Sequence, residues 1–195
     1  MRIDRLHALV PRCSSWTDPG NGCGPLARND QEGEQAVRQR LSTRTLVVPM
    51  TDPFMRTAID EAKLGVSEGG IPIGSVIVHD GRILGRGHNR RVQRGSVVLH
   101  GEMDALESAG RQDARVYREC TLYTTLSPCP MCSGAILLYG IPRVIVGENR
   151  TFMGEEELLR ARGVVVDVLQ DTECIQMMTD FIQTHPQLWN EDIGT

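Results

Sequence analysis

Apolar residues recur at helical spacing through Met55, Ala58, Ile59, Ala62 and Val66, which predicts a helix with one buried face. Thr51-Asp52 offers an N-cap candidate, Pro53 suits the first turn, and Gly69-Gly70 predicts the stop. The period then shortens. Ser75–His79 reads as a strand, Asp80-Gly81 as a hairpin turn, and Ile83–His88 as the returning strand. A polar loop is predicted from Asn89 to Ser96. Helix and strand alternate after it: helix His100–Ala109, strand Cys120–Leu126, helix Pro130–Tyr139, strand Arg143–Val146, short helix Gly154–Arg162, strand Val164–Leu169 and helix Thr172–Thr184. A polar tail is predicted to run to Thr195. One antiparallel hairpin followed by three helix–strand units predicts an α/β fold: a mixed five-stranded sheet with helices on both faces.

Residues 1–50 break this pattern. Their periodicity is poor, and Pro19-Gly20-Asn21-Gly22 and Cys23-Gly24-Pro25 are turn and breaker signals. They are expected to form a poorly ordered N-terminal extension ahead of one domain over 51–195. Met1–Arg12 carries arginines and is mildly amphipathic, so a mitochondrial transit role stays open, although Asp4 and Asp18 are acids that such peptides avoid. An upstream stretch left out when translation starts at Met50 is the other alternative.

Composition adds four constraints. The apolar share of 40% and charged share of 24% suit a soluble globular chain. The longest apolar stretch, Ala135–Tyr139, is far too short to span a membrane. The net charge of −4 divides unevenly: seven arginines and five acids lie in residues 1–50, leaving 14 basic and 20 acidic residues in the body. Such a body has no evident electrostatic footprint for nucleic acid, so a small substrate is expected. Six cysteines without a secretory leader, two of them in a tight Cys-x-x-Cys, read as metal or redox chemistry rather than disulfides.

Two short motifs carry the chemistry. His100-Gly101-Glu102 opens one predicted helix, and Pro128-Cys129-Pro130-Met131-Cys132 opens another after a strand. Alone, Cys-x-x-Cys is as often a structural zinc half-site or a redox pair. A structural site needs four protein ligands, and no second pair exists here; a redox pair leaves His100 and Glu102 unexplained. Together, His-x-Glu and Pro-Cys-x-x-Cys form the signature of zinc nucleobase deaminases. His100, Cys129 and Cys132 supply one nitrogen and two sulfurs to a single Zn2+ and leave a fourth position for water. Residues three apart share a helix face, and a helix N-terminus favours thiolates. Glu102 reaches the activated water without ligating.

With these motifs the chain resembles the fungal cytosine deaminases of the cytidine deaminase-like superfamily. The likeness runs from about residue 53 to the C-terminus and includes Glu68–Gly74, Leu84–Asn89, Leu99–Glu102, Thr121–Gly140 and Val146–Asn149. The tail Trp189-Asn190-Glu191-Asp192-Ile193-Gly194 is the most specific block. Residue 130 is proline where some relatives carry an acid, and proline fits a first helical turn. The resemblance implies a three-layer α/β/α sandwich, a homodimer, and hydrolysis of free cytosine, or 5-fluorocytosine, in pyrimidine salvage. It also implies a cytoplasmic location, with the nucleus open.

The resemblance assigns roles as well. Glu102 becomes the proton shuttle. Asn89 hydrogen-bonds the base edge, unless it is a plain turn residue. Gly101 offers its backbone N–H to the base carbonyl, unless it only makes the turn. Ser127 uses its backbone carbonyl on the amino group, or is simply the residue before Pro128. Phe152 and Trp189 sandwich the base, Asp192 accepts from its amino group, and Ile73 lines the pocket; core packing or solvation are the plain alternatives for these four. His79, His88 and His185 are not expected to ligate. A tRNA adenosine deaminase, a cytidine or guanine deaminase, and a non-catalytic zinc module are the competing functions.

Overall fold

The computed structural model describes residues 52–195; residues 1–51, with the expected N-terminal extension and Thr51, lie outside the described residues. The first helix, α1 (Pro53–Ser67), is capped by Asp52, whose carboxylate accepts from the backbone N–H of Phe54 at 2.8 Å and Met55 at 3.4 Å. This satisfies donors that have no partner inside the helix. Met55, Ala58, Ile59 and Ala62 are buried as their spacing predicts, while Val66 lies on the edge of the stripe and is exposed.

Five strands follow: β1 (Gly74–His79), β2 (Arg82–His88), β3 (Cys120–Leu126), β4 (Arg143–Glu148) and β5 (Val165–Val168), in the spatial order β2-β1-β3-β4-β5. β1 pairs antiparallel with both β2 and β3, and the β3–β4 and β4–β5 pairs are parallel. Parallel neighbours require crossovers, here supplied by α5 (Pro130–Tyr139) and α6 (Glu156–Ala161).

Strand alternation sorts the core into layers. Ile77, Leu122, Val144 and Val146 face one side, where they pack with Ala105 and Leu106 of α3 (Gly101–Ala109), Ile136 of α5 and Leu159 of α6. Val76, Val78, Tyr123 and Ile145 face the other side, against Met55, Ala58 and Ile59 of α1 and Cys174 of α7 (Thr172–Thr184). Each fully buried aliphatic side chain stabilises this sandwich by about 1.5–3 kcal/mol. The mixed five-stranded sheet with helices on both faces is therefore the observed architecture. Gly74 lets α1 lie directly on β1: a Cβ there would stand 2.1 Å from the Ala58 carbonyl oxygen.

Three elements differ from the sequence expectation. The polar loop after β2 contains one helical turn, α2 (Arg91–Arg94), and a second turn, α4 (Ala114–Tyr117), starts on an Asp113 cap. Single turns are shorter than any window in which a helical period can be read. The predicted polar tail is instead a helix, α8 (Pro186–Ile193), which begins on a first-turn proline, buries Trp189 and Asp192, and ends at Gly194 in the left-handed region. Its apolar face joins Ile71, Ile73, Leu126, Met178 and Phe181 beneath one end of the sheet. None of the helices among the described residues is long and apolar enough to cross a membrane.

Candidate active site

The N-termini of α3 and α5 converge at the C-terminal end of β3. His100 and Cys129 are the N-cap residues of these helices, both with extended backbone, and neither side chain is spent on capping. Cys132 follows on the same face of α5. One ligand atom from each of His100, Cys129 and Cys132 lies within 4.8 Å of the others. His100 Nδ1 and Cys129 Sγ are 3.4 Å apart. Tetrahedral zinc, with Zn–N of about 2.0–2.1 Å and Zn–S of about 2.3 Å, holds such a pair about 3.5 Å apart. One imidazole and two thiols at this spacing fit Zn2+.

Electrostatics fit a cation as well. The Cys129 thiol is lowered to about 4 by hydrogen bonds from Cys132 and His100, against the opposing effect of burial. Cys132 is pushed well up by its bond to Cys129, by burial, and by the negative charge of Glu102 and Cys129. Burial raises Glu102, and the Cys129 charge adds to it. Burial pulls His100 down, but the Cys129 bond and the Asp192 and Glu102 charges bring it above its ordinary value. The cluster thus gathers more negative charge than it can hold alone, and a dication would reverse that balance.

Glu102 is held in place from the sheet. Its Oε1 accepts from Thr124 Oγ1 at 3.2 Å, and Thr124 accepts in turn from Ser75 Oγ at 3.0 Å. Its other oxygen, Oε2, lies 3.4 Å from Cys132 Sγ. Neither Thr124 nor Ser75 carries a sequence signal; both are ordinary strand residues that the β1–β3 register brings together.

A cavity of about 290 Å³, its open mouth included, lies over this centre. Its lining includes Ile73, His100, Glu102, Ser127, Cys129, Phe152, Trp189 and Asp192, which brings together most of the residues expected from sequence. Leu126 and Ile193 also line it and were not anticipated. Phe152 and Trp189 meet edge to face, with centroids 5.8 Å apart and planes at 86°. They form a corner rather than two parallel plates, so a flat base can stack on only one of them.

Asn89 and Gly101 stand behind the lining. Asn89 is fully buried; its Nδ2 donates to Asp192 Oδ1 at 3.0 Å, and its Oδ1 accepts from Arg91 N at 3.1 Å. In this arrangement the amide orients Asp192. Arg91, unmarked in the sequence, donates to the same Asp192 oxygen at 2.9 Å. Gly101 is buried, and a Cβ there would come 3.0 Å from the Ile73 carbonyl oxygen. His88 sits away from the centre, fully buried between Glu61 and Glu68 at 3.0 Å each.

A profile of the cytidine and deoxycytidylate deaminase zinc-binding region matches residues 50–148. The chain belongs to this zinc-binding deaminase family. The matched span holds His100, Cys129 and Cys132, the three residues that could hold a metal, together with Glu102, and stops before α6–α8. A cytosine deaminase of Candida albicans is 58% identical over 141 residues, covering 72% of this chain and 94% of that protein. A tRNA-specific adenosine deaminase of Bacillus subtilis is 34% identical over 140 residues, covering 67% and 87%. Among solved structures, one from work on A-to-I editing by tRNA deaminases at the wobble position has a TM-score of 0.54 at 29% identity, covering 64% of this deaminase and 97% of that chain. A guanine deaminase from Nitrosomonas europaea has a TM-score of 0.56 at 22% identity, covering 71% and 86%, a likeness of fold alone.

Proposed function

We propose that this zinc-dependent deaminase hydrolyses free cytosine to uracil and ammonia, in pyrimidine salvage, and accepts 5-fluorocytosine. The observation that carries this reading is the 58% identity to a cytosine deaminase over 141 residues and 94% of that protein's length, a longer stretch than the zinc-binding region at residues 50–148. His100, Cys129 and Cys132 would hold one zinc per chain. Bound there, zinc supplies Lewis acidity that makes water a nucleophile near neutral pH.

The chain's own residues do the rest. Glu102, fixed through Oε1 by Thr124, takes a proton from the attacking water and delivers it to ring N3. Oxygen bonds to C4; Glu102 then takes the remaining proton of that hydroxyl and passes it to the amino nitrogen, so that the C4–amino bond breaks, ammonia leaves and the C4 carbonyl forms. Asp192 accepts from the substrate amino group, with Asn89 and Arg91 fixing its orientation. The Ser127 carbonyl faces the same amino group, and the Gly101 N–H serves the base carbonyl. The base stacks on one ring of the Phe152–Trp189 corner and meets Ile73 at its edge. The working unit is a homodimer, and a cytoplasmic location suits a salvage enzyme.

Adenosine in a tRNA anticodon is the alternative, since tRNA-specific adenosine deaminases are among the relatives. The acidic body, with 14 basic and 20 acidic residues, weighs against an anticodon arm as partner. Incubation of the purified protein with cytosine, cytidine, adenine, guanine and a tRNA anticodon stem-loop separates the readings. Ultraviolet spectra should change for cytosine, with ammonia released in equal amount. Conversion of cytidine alone, or of the stem-loop alone, would overturn the proposal.

A further inference from the structure

One buried carboxylate near the pocket has no part in this chemistry. Glu156, at the start of α6, is 4% exposed. A buried carboxylate is costly relative to an apolar side chain unless its partners satisfy it fully. Its Oε1 accepts from Ser127 Oγ at 2.9 Å and Asn149 Nδ2 at 2.9 Å, and its Oε2 lies 3.1 Å from Arg160 Nη2. Ser127 lines the pocket, next to the turn that carries Cys129.

The same hydroxyl has a second partner: Ser127 Oγ accepts from Gly154 N at 3.0 Å. Beside it, Glu155 N donates to the Pro128 carbonyl oxygen at 2.9 Å. The approach is so close that a Cβ on Gly154 would stand 1.9 Å from that oxygen. These bonds moor the far end of segment 149–155, which presents Phe152 to the pocket. Its near end is moored by fully buried Glu148, whose Oε2 accepts from Arg150 N at 2.6 Å and Thr151 N at 3.1 Å. Asn149, the second donor to Glu156, accepts from Gln170 Nε2 at 2.6 Å. Gln170 is held at a φ of +55°, a conformation unfavourable for any residue with a side chain, and its Oε1 also accepts from Arg150 Nε at 2.9 Å.

We propose that Glu156 is a positioning residue for substrate binding: through the Ser127 hydroxyl it locks the Phe152 segment to the Ser127–Cys129 turn, so that the aromatic corner and the Ser127 carbonyl stand ready before cytosine enters. It touches neither the zinc ligands nor Glu102, so its effect falls on affinity rather than on proton transfer. A pocket wall ordered in advance spares the substrate the cost of ordering it. The proposal rests on the cytosine reading of the site.

Steady-state kinetics on cytosine, with zinc content measured in parallel, test it in the parent, Glu156→Ala, Glu156→Gln and Ser127→Ala. Loss of one buried hydrogen-bonded link is expected to raise KM about tenfold in Glu156→Ala. The turnover number should stay within about threefold, and zinc at one per chain. Glu156→Gln keeps an acceptor oxygen for Ser127 and should restore the parental KM. Ser127→Ala removes only one hydroxyl, keeps the fold if the larger truncation does not, and should reproduce the raised KM. The double variant should raise KM by less than the product of the two single effects, because the Glu156–Ser127 bond is common to both. A parental KM in Ser127→Ala and Glu156→Ala, or a loss confined to turnover or zinc, would overturn the role of Glu156 while leaving the cytosine reading intact. A parent that leaves cytosine unchanged would remove both.

Discussion

His100 Nδ1 and Cys129 Sγ, 29 residues apart in sequence, lie 3.4 Å apart where α3 and α5 begin. The two helix starts are thus held at the separation of two ligands on one ion. Cys129→Ala leaves an incomplete donor set, and zinc measured by plasma emission should fall from one per chain to near zero. Chelation of the parent should abolish activity reversibly and lower Tm, because zinc at about 1,000 times its Kd stabilises the folded state by about 4 kcal/mol. A Cys129→Ala protein with full zinc would remove this residue from the ligand set.

The perpendicular corner of Phe152 and Trp189 should separate binding from stability. Trp189 is 6% exposed and packs in the cluster beneath the pocket, whereas Phe152 is half-buried. Trp189→Ala should cost about 3–5 kcal/mol in urea unfolding as well as raising KM. Phe152→Ala should raise KM with a clearly smaller loss of stability. Equal stability losses in the two variants would contradict the burial difference.

Much of this site was legible because its signals are local. The candidate zinc ligands and Glu102 occupy two helix starts, and each start is marked by its own neighbours, Gly101 and Pro130. β3 and α5 appear with the bounds that the sequence predicts, since a β-rich apolar run and a Pro-to-Gly helical stretch leave little choice. The roles of Thr124, Arg91 and Glu156 come from long-range register and from polar side chains meeting across 22, 101 and 29 residues. No spacing in one sequence encodes such meetings. The helix α8 was hidden for another reason: its apolar residues Leu188, Trp189 and Ile193 are too few to set a period, and its fold depends on packing against α7.

The contact of α1 with β1 gives a prediction for the fold itself. Gly74→Ala drives a Cβ to 2.1 Å from the Ala58 carbonyl oxygen, and backbone must move to admit it. The urea midpoint should fall by the equivalent of about 1–3 kcal/mol with an unchanged slope. An unchanged midpoint would mean that the helix is not seated on the strand.

Glu173 ties α7 to α1 across the surface. Its carboxylate meets Lys63 Nζ at 2.5 Å and Arg56 Nη2 at 2.8 Å, and these bonds, Lys63 first, hold it below the ordinary glutamate value against partial burial. A depressed folded value means that stability is present above the ordinary value and is lost as pH falls through the folded one. At pH 7, Glu173→Gln should cost roughly 0.2–1 kcal/mol, reduced by salt because the pair is largely solvated. Parent and variant should converge in acid, where the parental carboxyl is protonated. A gap that widens in acid would reverse the assigned sign.

Zinc content and ammonia release from cytosine, measured together on the parent and Glu102→Gln, bear most directly on the site. Both proteins should hold one zinc per chain, and the variant should release ammonia about 10²–10⁴ times more slowly, the usual scale for a lost general acid–base. A Glu102→Gln protein that matches the parental rate, or a zinc-loaded parent that leaves cytosine unchanged, would contradict the account.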